Sequence, residues 1–255
     1  MRVDTSVPLL ELIEEHILRD YKYLRNVISD LTSGDRIYHS ILTGIAMGDR
    51  RTNSAFKRAG ISFNHGSKCI EEMCEIGVID KESSQQHYTN NPRSLAVSER
   101  LLFREPFVRF WFAFISPIFK GIKEGTFEEF LKRFKGREAE FTDLIFEQLS
   151  HELLKKSFQE DTIKQLGRYW DDENEINLIG KTFGGKIVVG SCKFSNSKVK
   201  KSELSSLKQK CEKLEIPADI FVLFSKKGFS NELKSLKGEN LKLYTAKSFK
   251  MLLDK

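Results

Sequence analysis

Apolar residues recur at Leu9, Leu12, Ile13, Ile17, Tyr21, Leu24 and Ile28. Steps of three and four predict an amphipathic helix over residues 9–30, with a charged opposite face. The run LTSGD at 31–35 breaks it, and the pattern restarts at Asp35. A helix carrying Ile37, Ile41, Leu42, Ile45 and Ala46 is expected next, ending near Gly48. Thr52 or Asn53 can cap a short second helix that Gly60 ends. A third helix follows from about Phe63 to Ile76, with Cys69, Ile70, Met73 and Cys74 on one face and Gly77 as its stop. Residues 78–81, the polar tip SSQQ and His87-Tyr88 then predict a two-stranded wing. Three helices on short turns followed by a hairpin make a winged helix-turn-helix plan over residues 35–97, whose third helix can enter a major groove. Asn64, His65, Ser67 and Lys68 stand where that helix would meet base edges. Glu71 and Glu72 follow them and repel phosphate, so a protein-docking role stays open.

Residues 98–136 are dense in aromatics. Phe107, Phe110, Trp111 and Phe114 share a helical face that Pro117 ends, and packing between domains is the expected use. From 137 onward the rhythm becomes helix, strand, strand, strand, helix, strand, strand. The helix is expected at 138–158 and strands at 165–170, 175–179 and 186–194, with Gly184-Gly185 as a tight turn. A lysine-rich helix over 199–214, a strand at 220–224 and a final strand at 241–244 with a short helix after it complete an α/β domain with a central mixed sheet. The expected organisation is thus a helix at 1–34, the winged helix at 35–97, an aromatic connector at 98–136 and the α/β domain at 137–255.

Charge changes the picture. The 255 residues carry a net +6, but residues 181–255 hold 17 lysines against 7 acidic residues, a net +10. The first 180 residues are therefore net acidic. A lysine-rich segment suits a polyanion, because neutralising phosphates releases condensed counterions. It equally serves to solvate helix faces. No apolar stretch approaches the ~18 residues of a membrane span, the N-terminus lacks a secretory pattern, and the four cysteines form no C-x-x-C pair. A cytoplasmic protein is expected.

The segments E105-P-F-V-R-F-W-F112, G167-R-Y-W170, N174-E-I-N-L-I179 and G190-S-C-K193 together resemble the C-terminal region of a prokaryotic AAA-type ATPase family of unknown function (domain of unknown function 234). The resemblance covers roughly residues 35–255. It implies a winged helix followed by a PD-(D/E)xK restriction-endonuclease-like domain, here without the ATPase module. No G-x-x-x-x-G-K-[ST] loop occurs in the chain.

That nuclease chemistry needs two carboxylates on a divalent metal and a lysine beside the attacking water. Strand alternation puts Glu175, Asn177 and Ile179 on one face, and Ser191 and Lys193 on one face of the next strand. The resemblance aligns Asn177 with the family's aspartate and Ser191 with its glutamate. An amide and a hydroxyl cannot replace two anionic oxygens for Mg²⁺. Lys193 remains, with Glu147 on the preceding helix, and Glu175 could supply a displaced ligand.

Three readings follow. The first is a non-catalytic protein for double-stranded DNA, with no cofactor, using the winged helix and the backbone contacts Lys193, Lys198, Lys200, Lys201, Lys208 and Lys210. The second is a Mg²⁺-dependent nuclease built on Glu147, Glu175 and Lys193. The third is an interaction module that forms a homodimer or docks a separate ATPase.

Overall fold

The computed structural model describes residues 6–48, 52–89 and 99–253. Parts of the expected winged-helix span, at 49–51 and 90–97, lie outside the described residues. The chain divides into two compact units: residues 1–82 with 98–138, and residues 83–97 with 139–255.

The first unit is helical: α1 (Leu9–Ile13), α2 (Tyr21–Leu31), α3 (Arg36–Ala46), α4 (Thr52–Ala59) and α5 (Phe63–Glu75). The single helix expected over 9–30 is interrupted. A π-turn spans Glu14–Leu18, closed by the Arg19 amide donating to the Glu14 carbonyl at 3.0 Å. One extra residue in a turn rotates everything after it, so Leu18 is buried where the regular pattern expected Ile17. Asp35 caps α3 by accepting from the amides of Ile37 at 2.6 Å and Tyr38 at 3.4 Å. Ser62 caps α5 through the His65 amide. Gly77 closes α5 with φ +79°, and a Cβ there would press on the Arg104 guanidinium. Within α5, Gly66 lies against the Phe56 ring, so α4 and α5 approach closely only because position 66 has no side chain.

Strand β1 (Ile79–Glu82) pairs antiparallel with β2 (Arg100–Phe103), Ile79 opposite Phe103. The wing partner expected at His87-Tyr88 is therefore corrected: those residues form a 3₁₀ turn, Gln86–Tyr88. Tyr88 has a core of its own to join and His87 is exposed, whereas Leu101 and Phe103 bury the alternate positions that a strand beside β1 requires.

Helices α6 (Pro106–Phe110), α7 (Phe119–Lys123) and α8 (Glu128–Ser157) follow. Between α6 and α7 the chain makes a π-turn, Trp111–Ile115, and a 3₁₀ turn, Ser116–Ile118. Pro117 has no amide to give the Ala113 carbonyl four residues back. Arg133 Nε on α8 donates to that carbonyl at 2.9 Å instead. The aromatic stripe is the core of this unit rather than a connector. Phe110, Phe114, Phe130 and Phe134 pack with ring centroids 5.2–6.3 Å apart, and Trp111 stacks on Tyr21 at 5.6 Å. Phe107, counted in the stripe by periodicity, faces outward.

The second unit holds α8 from residue 139 and a five-stranded mixed sheet in the order β3 (Ile163–Trp170), β4 (Glu175–Thr182), β5 (Ile187–Lys193), β6 (Ile220–Ser225), β7 (Leu241–Thr245). The first three strands are antiparallel, and β5, β6 and β7 run parallel. The antiparallel pair β4–β5 needs only the Gly184-Gly185 turn, where Gly185 has φ +89°. The parallel pairs need crossovers, supplied by α9 (Lys201–Lys213) and α10 (Asn231–Ser235). Leu204, Leu207 and Leu233 cover one face of the sheet with Val189 and Leu223. Phe146, Leu153 and Leu154 of α8 cover the other with Val188, Val222 and Phe224. The architecture is mixed α/β with a helical N-terminal part.

Residues 83–89 lie along the outer edge of β3. Ser84 Oγ donates to the Trp170 carbonyl at 2.7 Å and accepts from its amide at 2.8 Å, and the Gln85 amide donates to the Arg168 carbonyl. An edge strand left with unpaired amides would recruit another chain, and this segment satisfies them.

Candidate functional site

The residues singled out in the sequence lie on α8, β4 and β5 and fall into separate groups. Gly167 pairs with Ile179 and Tyr169 with Ile176, so Asn177 and Leu178 stand opposite Arg168 alone. This is a β-bulge, and it reverses the alternation. Ile176 and Ile179 both enter the core under α9, while Leu178 enters the core under α8. The expectation that Glu175, Asn177 and Ile179 share a face is corrected on this ground.

Asn177 is used completely. Its Nδ2 donates to Glu147 Oε2 at 3.1 Å, and its Oδ1 accepts from the Cys192 amide at 3.2 Å. The carbonyl left unpaired by the bulge accepts from His151 Nε2 at 2.9 Å. Glu147, on α8, forms an ion pair through its second oxygen with Arg168 Nε, both side chains largely buried. Its charge is therefore already balanced by a guanidinium, with an amide hydrogen on the remaining oxygen.

Ser191 and Lys193 meet a different carboxylate. Ser191 Oγ donates to Glu203 Oε1 at 2.7 Å, and Lys193 Nζ lies 3.2 Å from the same oxygen. Glu203 sits in the first turn of α9, where the helix dipole favours an anion. Glu175 stands exposed at the first position of β4, and its carbonyl accepts from Lys210 Nζ at 3.1 Å. The expected constellation is thus two carboxylate clusters, Glu147 with Arg168 and Asn177, and Glu203 with Ser191 and Lys193.

Titration follows these surroundings. Burial pushes His151 down to about 3, with Arg168 acting in the same direction. Burial raises Asp143, and Glu147 adds to the rise while Lys226 and Lys193 oppose it. Burial also raises the Cys192 thiol, which disfavours the thiolate there. Among the described residues no group of three or more His, Cys, Asp or Glu is arranged to hold a metal ion. The donors at the aligned positions, an amide and a hydroxyl, do not fit Mg²⁺ either. Arg168, His151, Glu203 and Asp143 were not singled out by pattern. Arg168 lay in the quoted G-R-Y-W run, but nothing in a linear sequence says which carboxylate a buried arginine will meet.

The basic residues are spread. Lys198 and Lys200 are exposed in the segment entering α9. Lys201 pairs with Glu232 at 3.1 Å. Lys208 lies over the Phe221 ring, 5.4 Å from its centroid, while Lys210 reaches Glu175. On the first unit, Asn64, His65 and Lys68 are exposed in the first turns of α5, with Ser67 half-buried and Lys68 3.7 Å from Glu72. Tyr38 donates its hydroxyl to the other Glu72 oxygen.

Residues 111–205 match a family described as archaea bacterial proteins of unknown function, DUF234. An uncharacterized protein of Methanocaldococcus jannaschii, MJECL04, is 20% identical over 182 residues, which is 68% of this chain and 40% of that protein. The chain thus spans less than half the length of that relative. Among solved structures, a chain from the Thermococcus gammatolerans assembly of McrB AAA+ hexamers with bound McrC aligns over 85% of this chain and 50% of its own, with 12% identity and a TM-score of 0.29. That score is too low to establish a shared fold. No helix among the described residues is long and apolar enough to cross a membrane.

Proposed function

We propose that this chain is a non-catalytic DNA-binding protein. The helical unit is read as a winged helix whose α5 meets the major groove, and the sheet unit as a PD-(D/E)xK-like domain without metal chemistry. The observation that carries the second half is the Glu147–Arg168 pair capped by Asn177. A protein cation stands where a nuclease would need its carboxylate available to Mg²⁺. The excess lysine of residues 181–255 and the exposed first turns of α5 support a duplex partner.

The test is a titration of labelled duplex DNA between about 50 and 200 mM salt, with and without Mg²⁺. Binding should weaken with a log–log slope of about −0.9 per phosphate neutralised, without Mg²⁺-dependent cleavage. Absence of binding at low salt, or cutting that depends on Mg²⁺ and Lys193, would overturn the reading.

A further inference from the structure

A separate cavity lies within the helical unit and shares no residue with the carboxylate clusters or the basic residues described above. It has a volume of about 470 Å³ and opens between α2, the start of α3 and the turn before α7. This is within the range of roughly 300–1,000 Å³ typical of small-molecule sites. Its wall is apolar, formed by Ile28 and by the stacked Tyr21 and Trp111. At the rim Phe119 is 49% exposed, a ring large enough to carry a flat partner and covered by nothing described.

The charge of the cavity is one-sided. Arg25 and Arg36 both line it, both are exposed, and no acidic side chain lines it with them. Neither arginine forms a salt bridge with a described residue, in a chain where Arg19, Arg104 and Arg168 each have one. Asp35, which precedes Arg36 in the chain, already accepts from two amides at the head of α3. His39 completes the polar side and is held in place: Thr32 Oγ1 gives its hydrogen to the Ile28 carbonyl and so accepts from His39 Nε2 at 3.0 Å. The other ring nitrogen of neutral His39 is then an acceptor. Ser29 and Ser116 add hydroxyls.

We infer that this cavity binds a small oxyanion carrying a flat apolar ring, its phosphate or carboxylate held by Arg25 and Arg36 and its ring laid on Phe119. Two guanidiniums present paired donors in the geometry such oxyanions accept, and an apolar wall without acids excludes cations. The inference does not depend on the DNA-binding reading.

Calorimetric titration of the whole chain with adenosine 5′-monophosphate, 4-hydroxybenzoate, adenosine and inorganic phosphate tests it. Saturable binding is expected for at least one of the first two, which separates a phosphate ester from a carboxylate. Adenosine should bind weakly or not at all, and inorganic phosphate more weakly than the ring-bearing anion. The double variant Arg25→Gln/Arg36→Gln, altered only at exposed positions, should weaken the binding by about tenfold or more, the loss expected for charge-assisted hydrogen bonds. Phe119→Ala should weaken the ring-bearing anion and leave inorganic phosphate unchanged. The inference fails if neither ring-bearing anion binds, if adenosine binds as well as its monophosphate, or if the arginine variant binds like the wild type while melting at the same temperature.

Discussion

Asn177 does the work of three separate groups. It gives a hydrogen to Glu147, takes one from the Cys192 amide, and offers a bulge carbonyl to His151. Asn177→Asp changes one atom type and reverses the first of these contacts, placing two carboxylates about a hydrogen bond apart with Arg168 to share. It should cost about 1–3 kcal/mol at neutral pH, the penalty for a buried polar contact turned repulsive. The loss should shrink toward pH 5 as the pair takes up a proton. Urea unfolding at the two pH values measures this, and equal midpoints for variant and wild type would show that Asn177 is not tied to Glu147.

His151 makes a second prediction at this scale. Its folded value lies near 3 and its ordinary value at 6.5, so the unfolded chain binds the extra proton first. The stability this neutral, buried ring contributes is whole above pH 6.5 and falls progressively as pH drops toward 3. At pH 5 the loss is about 2 kcal/mol from this group alone. His151→Gln, which keeps a donor for the Asn177 carbonyl, should flatten the fall in thermal midpoint between pH 7 and pH 5. A variant with the wild-type slope would assign the acid sensitivity elsewhere.

Among the elements, the turn between α6 and α7 shows how a local defect is repaired at a distance. Pro117 removes the amide due to the Ala113 carbonyl, and Arg133 arrives from α8 to replace it. Arg133→Ala should therefore cost about 1–3 kcal/mol, the penalty for a buried acceptor left without a donor. Pro117→Ala returns an amide at that position, so the Arg133 loss should be smaller in its background. A double-mutant cycle in denaturant reads the coupling, and strict additivity would separate the two residues. Gly190, part of the quoted G-S-C-K run, has a similar local explanation. A Cβ there would meet Leu178 at 2.9 Å and the Val222 carbonyl at 3.0 Å, so the β4–β5–β6 contact excludes a side chain.

For the whole molecule, charge distribution is the feature that predicts behaviour. Lys198 and Lys200 are exposed where the chain enters α9, whereas Lys201, Lys208 and Lys210 each touch a protein group. On the DNA-binding reading, Lys198→Ala/Lys200→Ala should reduce the magnitude of the log–log salt slope by about 1–2 while leaving sequence preference alone. An unchanged slope would place the phosphate contacts on other residues.

Much of the architecture could be read from the linear chain because its causes are local. The restart of the helical pattern at Asp35, the stop at Gly77, the apolar runs that became β3 to β7 and the Gly184-Gly185 turn all act over a few residues. What escaped depends on separation. The partner of β1 is β2, which begins at Arg100 while β1 ends at Glu82, and periodicity cannot choose between distant apolar runs. The bulge at Asn177 is a property of two strands in register, so one strand read alone assigned the wrong face to Ile179. Residue types at the candidate site were legible, including the missing carboxylates. Only the packed structure decided that Glu147 is neutralised by Arg168 and that Ser191 and Lys193 turn to Glu203, because a buried charge takes whichever opposite charge the fold brings within reach.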